Sequence, residues 1–129
     1  KIARRIKGRT FRPVRWFPVG RDWMKKGELE TEYAEVCGPG AIWEELLRTA
    51  HSVVVFASAV AVEAIVAGVP VFTYSEDCVA KSMSGDPRFV EAPKCPKDGE
   101  RLQFLSDLAY TQWTAQEMWS GECWEALWM

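Results

Sequence analysis

The chain has 129 residues, enough for one domain with a real core. Hydrophobic residues make up 48% and charged residues 26%, values that exclude wholesale disorder, a collagen-like repeat and a disulfide-rich mini-scaffold. The net charge of −2 is unevenly divided: residues 1–26 carry ten of the sixteen basic side chains and a single acid, Asp22, so this segment is +9 and the rest −11. A basic arm on an acidic body implies an anionic partner, whether phosphate, a nucleotide or nucleic acid, or else a solvated face whose arginines pair with the chain's own acids.

The first ten residues read as a basic helix or arm. Residues 11–17 follow as a strand, with Pro13 placing it at an edge. Residues 19–30 are loop-like, and residues 33–36 form a short strand before the Gly38-Pro39-Gly40 turn. Ile42, Trp43, Leu46, Leu47 and Ala50 share one face at helical spacing, which predicts a helix over 42–50. Residues 53–57 are apolar without alternation, the pattern of a strand buried on both faces. Ser58 is a good N-cap for a short helix over 59–67, Gly68 supplies its left-handed end, and residues 69–74 make a second buried strand.

Residues 75–96 read as irregular. Asp98 caps a helix over 99–113 with Leu102, Leu105, Leu108, Ala109 and Trp113 toward the core. Thr114-Ala115-Gln116-Glu117 is a capping box, Ser120-Gly121 ends its helix, and Trp119, Trp124, Leu127 and Trp128 form a final apolar patch. The order predicts an α/β fold: a single Rossmann-like three-layer domain with a short, mostly parallel sheet and a helical, Trp-rich C-terminal tail. Its parts are the basic segment 1–26, a strand-helix-strand-helix-strand core over 33–74, and C-terminal helices over 98–129.

Residues 53–72 are long enough to cross a bilayer. Glu63 near the middle, which costs about 3 kcal/mol there, the β-type start and the Gly68-Val69-Pro70-Val71 end oppose a span. The basic N-terminus lacks the apolar run of a signal peptide. Lys1 in place of an initiating Met fits a processed chain or a fragment. Cys37, Cys78, Cys95 and Cys123 are scattered, so no metal site is expected and a reducing, cytoplasmic compartment fits.

In open parallel sheets ligands bind beyond the carboxyl ends of strands. Three such ends offer candidates: Gly38 and Gly40, Ser58 and Ala59, and Ser75. The middle one is the strongest, because small residues and unpaired first-turn amides make a phosphate cradle. Glu63, five residues after Ser58, is read as a buried carboxylate facing a sugar hydroxyl or an arginine. Arg12, Arg15 and Arg21 are candidate cations for the same anion. His51 lies at the amino end of a strand, the wrong edge for a base, and no P-loop, dinucleotide fingerprint or serine-hydrolase elbow occurs.

The stretch of residues 46–71, LLRTAHSVVVFASAVAVEAIVAGVPV, resembles the C-terminal half of GT-B glycosyltransferases, above all the capsule-polysaccharide type and glycosyltransferase-like proteins of bacteriophages. Residues 108–114 with Glu117 and Ser120-Gly121 are similar to the tail of the phage-type proteins, so the likeness covers roughly residues 33–121. The resemblance implies a nucleotide-sugar-binding half-domain that works without a metal or other cofactor, with Ser58 and the following amides toward the diphosphate and Glu63 supporting the ribose. It implies transfer to a glycan or to DNA, in the host cytoplasm for a phage protein. GT-B enzymes have two such domains and this chain has room for one, so a partner domain or a homodimer would complete it. The alternative is a non-catalytic module on the same scaffold that binds nucleic acid or another anionic partner.

Overall fold

The computed structural model describes residues 2–17, 32–38 and 40–128. The expected loop over 19–30, Arg21 and most of the second half of the basic segment lie outside the described residues. The chain divides into two compact units, residues 1–96 and 97–129.

The first unit is α/β. It opens with helix α1 (Ile2–Lys7), which buries Ala3 and Ile6 and turns its basic side chains outward. Strands β1 (Arg15–Trp16) and β2 (Glu35–Val36) pair in parallel, Arg15 opposite Glu35. Both are shorter than the runs that predicted them, and Phe11, placed in the first, is fully exposed. Helix α2 (Trp43–Thr49) buries Leu47, whereas Ile42, assigned to the same face, stands exposed just before it.

The centre of the unit is the succession β3 (Val53–Val55), α3 (Val60–Val66) and β4 (Val71–Thr73). β3 and β4 pair in parallel, Val53 with Val71 through Val55 with Thr73. The helix between them closes where the sequence predicts. Gly68 adopts φ 77°, its amide N–H donates to the Ile65 carbonyl (3.0 Å), and the Val69 amide donates to the Ala64 carbonyl (2.9 Å). This is the paired-bond Schellman ending that glycine favours. The possible membrane span is thus divided into strand, seven-residue helix and strand, and no helix of the described residues is long and apolar enough to cross a membrane.

Burial corrects one expectation. β3 is half-buried along its length and Phe56 is exposed, whereas all three residues of β4 are buried. The reason is position. β4 has β3 on one side and Gly85 on the other, with the Gly85 amide donating to the Val71 carbonyl (2.9 Å) and Gly85 bridging Phe72 in parallel. Among the described residues β3 pairs with β4 alone, so there it is an edge, and an apolar run does not by itself tell an edge from a centre. Among the described residues the strands form two two-stranded parallel sheets, which gives the α/β class in short form.

In the second unit, α4 (Asp98–Tyr110) starts one residue earlier than predicted and ends three earlier. Asp98 is its first helical residue; the Lys97 amide before it donates to Glu100 Oε2 (2.9 Å). None of its residues is buried, and Leu102, assigned to the core, is exposed. The capping box at Thr114 is present in full. The Glu117 amide donates to Thr114 Oγ1 (3.2 Å) and the Thr114 amide to Glu117 Oε2 (2.7 Å), starting α5 (Ala115–Ser120). The Thr114 amide first, and with it the Thr114 hydroxyl donating to the same Glu117 Oε2 (2.7 Å), hold the Glu117 carboxyl below its usual range. Gly121 ends α5, and the terminal residues, read only as an apolar patch, form a further helix, α6 (Glu122–Trp128). It buries Cys123 and exposes Trp124, Leu127 and Trp128. All four cysteines are free.

Candidate functional site

The predicted strand ends behave differently from one another. After β3, Ser58 is half-buried and its Oγ accepts the Val60 amide (3.3 Å). The Ala61 amide donates to the Ser58 carbonyl (3.2 Å) and the Val62 amide to the Ala59 carbonyl (2.9 Å). The first amides of α3 are therefore already bonded within the chain, and Ala59, itself exposed, is the formal cap. Glu63 is exposed rather than buried, because α3 buries the Ala61, Ala64 and Ile65 face and turns Glu63 away from it. Its carboxylate makes no ion pair within the described residues. Gly38 and Gly40 are exposed, and a Cβ on either meets nothing within 4 Å.

Two of the candidate arginines are engaged on the surface. Arg12 Nε lies 3.3 Å from Glu91 Oε2, and the other Glu91 oxygen accepts from the Thr10 hydroxyl. The Thr10 bond first, and the Arg12 charge with it, hold the Glu91 carboxyl below its usual range. Arg15 Nε lies 3.5 Å from Glu35 Oε2 across the β1–β2 pair. Exposed pairs of this kind contribute about 0–1 kcal/mol. His51 is half-buried at the start of β3, with no hydrogen-bond partner for its Nε2 among the described residues.

The end of β4 is where polar side chains converge. Ser75 is buried and self-contained: its amide donates to Thr73 Oγ1 (3.2 Å) and to the Phe56 carbonyl (3.1 Å), and its Oγ accepts the Asp77 amide (3.2 Å). Its neighbours Tyr74 and Glu76 open onto a cleft of about 480 Å³. The far wall comes from Lys81, Ser84, Gly85, Asp86 and Arg88, and the remaining side from Arg5 and Arg9 of the N-terminal segment. Among the described residues four cations and two carboxylates line it, an excess of two positive charges.

Those charges are arranged in two ways. Lys81 Nζ lies 2.7 Å from Glu76 Oε1. Arg88 grips Asp86 through Nε (2.8 Å) and Nη2 (2.5 Å), while Asp86 Oδ1 accepts from the Arg88 amide (2.8 Å) and so caps the 3-10 turn Pro87–Phe89. These bonds, the guanidinium first, lower the Asp86 pKa to about 2, with a smaller contribution from the Arg9 charge. Arg5 and Arg9 form no ion pair within the described residues. The Tyr74 hydroxyl is buried with no hydrogen-bond partner among them.

The sequence reading placed one candidate, Ser75, beside this cleft, and none of the eight predicted site residues that are described lines it. The signal that existed was the four-residue spacing of Arg5 and Arg9, one helical turn apart. Among the described residues no group of three or more metal-ligating side chains comes together. Comparison with family models, with curated proteins and with solved structures returns no match for this chain.

Proposed function

We propose that the chain is a glycosyltransferase-like, nucleotide-sugar-binding domain, one half of a GT-B architecture. The observation that carries the reading is the parallel β3–α3–β4 unit, built from the glycosyltransferase-like stretch 46–71 and opening at the end of β4 onto a cationic cleft. A cleft of this volume falls within the range of small-molecule sites, and its place beyond a strand's carboxyl end is where parallel sheets bind ligands. Its excess positive charge stabilises a leaving diphosphate by fixed electrostatics. A Rossmann-like layer, a partner domain or second copy carrying the general base, and a glycan or DNA acceptor all belong to this reading.

The test is thermal stabilisation of the full chain by a panel of UDP, GDP, CMP and dTDP sugars. Ligand at one hundred times its dissociation constant adds about 2.7 kcal/mol. The expected result is a clear shift with one nucleotide class. No shift with any of them refutes the reading.

A second reading is nucleic-acid binding by the basic segment. It is favoured by a hollow of about 490 Å³ on α1 lined by Arg4, Arg5, Gly8 and Arg9. Affinity for DNA that falls steeply with salt, without any response to nucleotide sugars, would establish it instead.

A further inference from the structure

We propose that Arg5 and Arg9 hold a phosphate ester carrying two negative charges in the cleft at the end of β4, so that the N-terminal helix is part of the ligand site. The inference deepens the nucleotide-sugar reading and rests on it for the rest of the ligand, but the phosphate contact is argued from the cleft alone. Of the four cations lining the cleft, Lys81 is committed to Glu76 and Arg88 to Asp86. Arg5 and Arg9 are exposed and make no ion pair among the described residues. Arg5 lies on α1, and Arg9 is fixed just beyond it by its amide bond to the Ile6 carbonyl (2.8 Å).

Two guanidinium forks on one side of a cleft match the paired oxygens of a phosphate better than two ammonium groups would. Tyr74 lines the same cleft, and its buried hydroxyl has no hydrogen-bond partner among the described residues. The charge count selects the ligand. Among the described residues the internal pairs leave an excess of two positive charges, which matches the two negative charges of a diphosphate diester. A triphosphate brings about twice that charge toward the carboxylates of Glu76 and Asp86, and like charges brought together are destabilising.

The experiment is isothermal titration of the full chain with inorganic pyrophosphate, with UDP, GDP, CMP and dTDP sugars, and with UTP. It compares the unaltered chain with the double variants Arg5→Gln/Arg9→Gln and Arg5→Lys/Arg9→Lys. The expected result is that the Gln variant loses tenfold or more in affinity for pyrophosphate and for the sugar nucleotide, and that UTP binds no tighter than the sugar nucleotide. The Lys variant keeps the charge, and a several-fold loss there reports the lost fork even if the Gln variant fails to fold. Unchanged affinity in a folded Gln or Lys variant overturns the assignment of the two arginines. Tighter binding of UTP overturns the charge selection. Pyrophosphate binding that depends on the arginines, with no response to any sugar nucleotide, supports the anion site and refutes the nucleotide-sugar reading. No binding of any probe overturns both.

Discussion

Gly85 forms part of the cleft wall and adjoins Phe72 in the centre of β4. A Cβ built on Gly85 lies 2.7 Å from Phe72 Cε1, 3.1 Å from Cδ1 and 3.6 Å from Cζ. Carbon atoms in good contact sit about 3.5–4.0 Å apart, so the closest pair overlaps by roughly 0.8 Å or more. The ring has nowhere easy to go, because Phe72 is 2% exposed and its neighbours Val71 and Thr73 are 3% and 2% exposed. Gly85→Ala is therefore overpacking of a filled core, at a cost of about 1–3 kcal/mol. For a unit of this size each kcal/mol lowers the midpoint by about 4–8 °C. The assay is urea and thermal unfolding of Gly85→Ala in two backgrounds, the natural one and Phe72→Leu, which lacks the clashing ring atoms. Phe72→Leu alone is destabilising through its lost packing. In its presence Gly85→Ala should cost about 1 kcal/mol less, a coupling that a double-mutant cycle isolates. A Gly85→Ala change within about 0.5 kcal/mol of neutral, or the same cost in both backgrounds, would refute the claim that the aromatic ring excludes a side chain at this position.

The Asp86 carboxyl should titrate near 2 by NMR, and Arg88→Ala should raise its midpoint toward the ordinary aspartate value of 3.8. Because the folded value is depressed, this group's stabilisation is present above the unfolded value and is lost as pH falls from about 4 toward about 2. Thr114→Ala removes the acceptor for the Glu117 amide and should cost the second unit about 1 kcal/mol, read as lost helicity in denaturant. Glu63→Gln, at an exposed carboxylate, should change stability by less than about 0.5 kcal/mol, and a larger loss would restore the buried ion pair first expected of it.

The local punctuation of this fold was legible. Gly68 and the Thr114–Glu117 box act through bonds spanning at most five residues, and the apolar runs on either side of α3 marked a parallel strand-helix-strand unit. What depended on neighbours far along the chain was not. The sequence does not distinguish β3 as an edge from β4 as a centre, because the third member of that arrangement is a lone glycine, Gly85, inside a stretch read as irregular. Glu63 looked buried because the residues around it are apolar, yet a seven-residue helix with one packed face leaves room for a carboxylate on the other. The cleft was least visible of all, since residues 5 and 9 meet residues 74–88 only in the folded chain. Its position at a strand's carboxyl end was anticipated, but its charges were sought in Arg12 and Arg15, which are engaged by Glu91 and Glu35.

The most direct test of the central claim is amide chemical-shift mapping of the full chain titrated with sugar nucleotides at near-physiological salt. The account predicts saturable shifts for one nucleotide class at Arg5, Arg9, Tyr74, Ser84 and Gly85, the residues around the end of β4. Saturable shifts confined to residues 57–60 after β3, or none at any residue with every nucleotide tried, would contradict it.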